Sequence, residues 1–130
     1  SVSELSFPYV RPQESGNRTD VRWFALSSPD GRGIVAVADS VLQVSASYQE
    51  DVDLDGGLDK QLRHRWDVAD RPYVVWDLDL AQMGVGGDTS WGARVHSEYT
   101  VPAGPYEYRV RLVPFSAAGR SIKEIVRDRW

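Results

Sequence analysis

Carboxylates are the first side chains in this sequence that could do chemistry. Asp51, Asp53, Asp55 and Asp59 alternate through a loop with Gly56 sixth, the opening of an EF-hand calcium loop. The twelfth position, where a bidentate glutamate closes such a site, is Leu62, so the stretch reads as an acidic solvated loop leading into a short helix. Asp77 and Asp79 share one face of a predicted strand, and glycoside hydrolysis needs two carboxyl groups about 5–9 Å apart in a cleft. Nothing around either aspartate marks it as desolvated, and a wet strand face accounts for both. His64 and His96 are the only histidines and read as hydrogen-bonded structural residues, because a zinc site built on them would need carboxylate help. The sequence lacks a Gly-x-Ser-x-Gly elbow, a phosphate loop, a His-Glu-x-x-His helix and any cysteine. The expectation is no catalytic residue, no metal site and no cofactor in these residues.

Binding is a different matter. Met83-Gly84-Val85-Gly86-Gly87-Asp88-Thr89-Ser90-Trp91-Gly92 places one large aromatic on a glycine-rich loop after an apolar strand. The glycines open backbone angles closed to other residues and let a ligand or chain segment come close. An indole there is a flat apolar platform with one N–H donor, suited to the apolar face of a sugar ring, although a tryptophan folded back over the core fits the same residues. Trp91 is the candidate binding residue, and Gly86, Gly87 and Asp88 are the candidates for shaping its loop.

The elements that must position this loop are mostly strands. Residues 21–26, 33–38 and 41–48 are rich in branched and aromatic side chains, and Ser28-Pro29-Asp30-Gly31 is a turn between the first two. Residues 73–80 alternate as a half-buried strand does, and two further strands are predicted at 95–101 and 106–113, joined by Pro102-Ala103-Gly104-Pro105. In the last, Tyr106, Tyr108, Val110 and Leu112 are predicted to face the core, and Glu107, Arg109 and Arg111 water. Trp23, Trp66 and Trp76 are expected in the core and Trp130 in the tail. Residues 58–66 have helical spacing, and Ser121 with Glu124 is a capping-box signature for a helix near 121–126. The predicted fold is all-β, an antiparallel β-sandwich of one domain over residues 1–130 with one short helix.

At 130 residues the chain is long enough to bury a core, and 42% hydrophobic with 26% charged residues suggests neither a disordered nor a membrane protein. A net charge of −4, with 13 dispersed arginines, argues against nucleic acid as a partner. No apolar run is long enough for a membrane span, and residues 1–6 do not resemble a signal peptide. The cytoplasm is the expected compartment, with periplasmic or secreted placement left open. The start without methionine, directly in an extended segment, suggests an excised domain.

The loop at 83–92, preceded by Pro12-Gln13-Glu14-Ser15-Gly16-Asn17-Arg18 with Arg22-Trp23 and followed by Pro105-Tyr106-Glu107-Tyr108, resembles the C-terminal domain of glycoside hydrolase family 2 β-galactosidases of the large bacterial lactase type. The likeness runs from about Pro8 to Phe115 and leaves the tail, 116–130, uncovered. It implies the later portion of a two-sheet β-supersandwich that is non-catalytic, the family's catalytic glutamates lying on a separate barrel. It further implies that Trp91 stacks on a β-galactoside such as lactose in a pocket completed by the remaining domains of a retaining enzyme. Two other readings stand beside it: a free-standing carbohydrate-binding module, and a structural domain that self-associates into a homo-oligomer through an unpaired strand edge.

Overall fold

The computed structural model describes residues 1–58, 63–86, 88 and 92–128. The chain is all-β, with mostly antiparallel strands in an open sheet and few short helices. Its strands are β1 (Arg18–Ser27), β2 (Gly33–Ser47), β3 (Val75–Asp79) and β4 (Val110–Phe115), with short helices α1 (Asp51–Leu54) and α2 (Ile122–Arg127). β2 is the organising strand, hydrogen-bonded to β1, β3 and β4. It runs unbroken where two strands were predicted, because Asp39 and Ser40 are exposed strand residues, not a turn.

Backbone contacts divide the chain into two compact units. One comprises Asp20–Gln43 with Asp79–Trp130. Here the Ser28-Pro29-Asp30-Gly31 turn joins β1 to β2: the Ser28 N–H donates to the Arg32 carbonyl at 2.8 Å and Gly31 takes φ +78°. β4 lies antiparallel to β2, with Gly33 opposite Phe115 and Ala38 opposite Val110. The core is Val35, Val37 and Ile125, with Ala25, Val113, Phe115, Ile122 and Val126 packed around it. Ile125 comes from α2, whose start is the predicted capping box: Ser121 Oγ accepts from the Glu124 N–H, and Glu124 Oε2 accepts from the Ser121 N–H at 2.8 Å.

That helix decides which face of β4 is inside. Arg111, Val113 and Phe115 turn toward α2 and the core, while Leu112 is 53% exposed and Tyr106 and Tyr108 are also open to solvent. The predicted facing is therefore reversed at Arg111 and Leu112, while Glu107 and Arg109 are exposed as predicted, since alternation defines two faces without saying which one a later helix will cover. Residues 95–101 and 106–109 are not strands either. They hold a 3₁₀ turn at Ser97–Tyr99 and an extended approach to β4, in which the Tyr106 hydroxyl donates to the Pro102 carbonyl.

The other unit comprises Ser1–Thr19 and Val44–Leu78. Among the described residues Val44, Ala46 and Val68 are its buried apolar side chains, and polar bonds join the same region. The Arg71 N–H donates to the Tyr48 carbonyl at 2.7 Å, and buried Gln49 donates through Nε2 to Asp70 Oδ1 at 2.6 Å. Helical turns lie at α1 and at Arg65–Asp67, on either side of much of the predicted 58–66 helix, whose residues 59–62 are outside the described set. α1 lies in the stretch predicted as an acidic loop, where Glu50 and Asp53 form a capping box, with the Glu50 N–H donating to Asp53 Oδ2 at 3.0 Å.

The tryptophans expected in the core divide. Trp76 is half-buried in β3, whereas Trp23 and Trp66 are exposed, Trp66 to 80%. Trp66 stacks on His64 instead, ring centroids 4.5 Å apart and planes 12° from parallel.

Candidate functional site

The acidic loop is committed to structure. Arg71 grips Asp53 with both arms of its guanidinium, Nε to Oδ2 at 2.9 Å and Nη2 to Oδ1 at 2.6 Å, and Arg63 Nη1 donates to the Asp53 carbonyl at 2.7 Å. The Arg71 hydrogen bonds hold the Asp53 carboxyl down at about 2 and push the Arg71 guanidinium up. Tyr73 donates its hydroxyl to Glu50 Oε1 at 2.5 Å, which raises the phenol above its ordinary value. Among the described residues no group of three or more histidine and carboxylate side chains is arranged to hold a metal ion.

The strand aspartates have separate partners. Asp77 Oδ2 accepts from the Ser45 hydroxyl at 2.7 Å, and Asp79 Oδ2 accepts from Gln82 Nε2 at 2.8 Å. Each carboxylate is thus held by a neutral donor, the arrangement of an orienting contact.

Beyond β3 the chain enters the glycine-rich loop. At its base the Gly84 N–H donates to the Tyr99 carbonyl at 2.7 Å. A methyl group at Gly84 would stand 2.8 Å from Tyr99 Cβ and 2.9 Å from Val95 Cγ1, so glycine is what lets the two arms approach. Gly86 takes φ +77° with open space around it, a left-handed conformation that favours glycine. Asp88 Oδ1 then meets His96 Nε2 at 2.8 Å. His96 immediately precedes the Ser97–Tyr99 turn, in which its carbonyl accepts from the Tyr99 N–H at 2.9 Å and the Thr100 hydroxyl donates to the Ser97 carbonyl at 2.7 Å.

Of the sequence-predicted site residues, Gly86 and Asp88 therefore sit on this loop, and Trp91 and Gly87 lie outside the described residues. Sequence reasoning missed the link from Asp88 to His96. Its signal was present in the spacing, a carboxylate and a histidine on opposite sides of a glycine-rich loop, but His96 was read alone.

Comparison with known proteins bears on the same stretch. A family model described as the β-galactosidase small chain matches residues 1–112, which takes in the whole loop. The β-galactosidase of Priestia megaterium is 36% identical over 103 residues, 79% of this chain and 10% of that protein. The β-galactosidase of Halalkalibacterium halodurans is 40% identical over 103 residues, 78% of this chain and 10% of its own length. The β-galactosidase of Lactobacillus delbrueckii subsp. bulgaricus is 39% identical over 109 residues, again 79% and 10%. The chain spans about a tenth of the length of these relatives. No helix among the described residues is long and apolar enough to cross a membrane. With the family model covering most of its length, the chain belongs to the β-galactosidase small chain family.

Proposed function

We propose that this chain is a non-catalytic region of a retaining β-galactosidase and supplies Trp91 as a stacking wall for a β-galactoside in a pocket that other domains complete. The observation that carries the reading is the family match running through the loop at 83–92. Loop geometry supports it: the Gly84 to Tyr99 bond ties the base, and the Asp88 to His96 contact ties a second point on either side of position 91. Asp53, Asp77 and Asp79 each accept a hydrogen bond from a different neighbour.

The surface supports a larger assembly. Met83, Val85, Tyr99, Tyr106, Tyr108 and Leu112 are all exposed in the same unit as the loop, with Val85 fully so. Exposed apolar side chains of this kind are available for other domains of a larger enzyme to cover.

Stacking by a pre-placed indole contributes about 1 kcal/mol beyond area burial, roughly fivefold in affinity. Trp91→Ala in the complete enzyme that contains this chain should therefore raise KM for lactose about fivefold while changing kcat less. Unchanged lactose kinetics would overturn the assignment of Trp91.

A further inference from the structure

Asp30 and Asp55 are the aspartates of this chain that glycine follows. Such a pair can rearrange, because a glycine nitrogen, with no Cβ beside it, is able to reach the carboxyl carbon of the residue before it. The nitrogen bonds to Cγ, the carboxyl hydroxyl leaves as water with the amide proton, and a succinimide ring closes. Water then opens the ring at either carbonyl. Opening at Cγ restores aspartate, whereas opening at the backbone carbonyl leaves the main chain running through Cβ and Cγ, as isoaspartate. The water lost in the first step is regained in the second, and no other reactant is needed.

Both aspartates are exposed, so the contacts of the reacting groups decide between them. At Asp30 and Gly31 both groups are tied. The Gly31 N–H donates to the Ser28 carbonyl at 3.0 Å, while the Asp30 carboxylate accepts from the Ser28 hydroxyl, from Arg32 Nε at 2.6 Å and pairs with Arg32 Nη2 at 2.5 Å. These contacts, the Ser28 hydroxyl foremost, hold the Asp30 carboxyl below its ordinary value and deplete the neutral form that loses water. At Asp55 and Gly56 neither group is so held. Among the described residues the Gly56 N–H has no hydrogen-bond partner, and the Asp55 carboxylate accepts one bond, from the Gly57 N–H to Oδ1 at 3.0 Å. That bond spans Gly56, folding the carboxyl back along the chain beside the nitrogen that would attack it.

We infer that Asp55 is the residue of this chain that converts to isoaspartate, through a ring closed by the Gly56 nitrogen, while Asp30 is held against the same reaction. The product lengthens the main chain by one methylene at the residue whose N–H closes α1 on the Asp51 carbonyl at 3.0 Å.

The test ages the complete enzyme that contains this chain in mildly acidic buffer and follows isoaspartate in its tryptic peptides by electron-transfer fragmentation. Residues 23–32 carry Asp30 and residues 33–60 carry Asp55, so the two sites are counted separately. Asp55 should convert about fivefold faster than Asp30, the ratio an exposed ion pair sustains. Gly56→Ala places a Cβ beside the attacking nitrogen and should slow Asp55 alone; Gly57, not Gly56, is the left-handed residue, so the backbone accepts alanine. Arg32→Gln should speed Asp30 about threefold and leave Asp55 unchanged. In guanidinium chloride the two sites should react at equal rates. No isoaspartate at residue 55, equal rates in the folded enzyme, a Gly56→Ala variant that reacts like the parent, or a difference that survives denaturation would each overturn the inference.

Discussion

Arg111 donates from Nη2 to the carbonyl of Ile125 at 2.9 Å, so a strand arginine caps the helix whose side chain fills the core of the same unit. The same nitrogen reaches the Asp128 carbonyl at 3.2 Å, placing a cation at the last carbonyls of α2, of which that of Ile125 also accepts the Asp128 N–H at 3.3 Å. Arg111→Met keeps the packed stem and removes the cap, and should cost about 1 kcal/mol. Chemical denaturation would measure it. A stability equal to that of the parent protein would show that water satisfies those carbonyls equally well.

The Asp53 to Arg71 pair predicts a pH dependence with a definite sign. Asp53 titrates near 3.8 in the absence of the fold and is held at about 2 within it. A depressed carboxylate contributes its stability above the upper value and loses it as pH falls through the lower one. Thermal melts between pH 5 and pH 2 should show Asp53→Asn with a lower midpoint at pH 5 and a shallower acid decline, the two proteins converging toward pH 2. Parallel curves across the whole range would show that the pair does not stabilise the fold.

Asp20 stands in β1 with φ +57°, the described non-glycine residue in the left-handed region. Aspartate tolerates this conformation and a β-branched side chain does not. Since Asp20 is exposed, packing does not confuse the comparison. Asp20→Val should cost about 1–2 kcal/mol, while Asp20→Asn should stay within about 0.5 kcal/mol. Equal stabilities for the two variants would refute the strain.

Ile125 is 1% exposed and is among the largest fully buried side chains. Ile125→Ala removes it from contact with Val35 and Val37 and should cost about 2–5 kcal/mol. Urea titration with near-UV circular dichroism would report both the loss and any loosening of the core. A cost under about 1 kcal/mol would mean that α2 is not an integral part of the unit.

What the sequence disclosed depended on whether a signal was local. The Ser28 to Gly31 turn and the Ser121 to Glu124 capping box were legible because backbone angles and hydrogen bonds within a few residues produce them. The division of β2 failed because Asp39 and Ser40 look like a break, yet a strand paired along its length carries two polar residues without stopping. Residues 95–101 have strand-like composition but no ladder, since pairing is set by partners elsewhere in the chain. The facing of Arg111 and Leu112 needed α2 in place, and the exposure of Trp66 needed its stacking on His64. The glycine-rich loop was legible as a loop, while its fastening by Asp88 and His96 joins residues eight apart that no local rule couples.

The family match stops at residue 112, inside β4, whereas the core of that unit is completed by Ile125. Synthesis runs from the N-terminus at about 5–20 residues per second, so Val35 and Val37 leave the ribosome well before the residue that covers them. Until then the apolar face of β2 that Ile125 covers lies open even once β1, β3 and β4 have paired with its backbone, a state that invites capture by other nascent chains or by chaperones. The order of translation thus gives α2 a kinetic duty, to end the interval in which the organising strand is exposed.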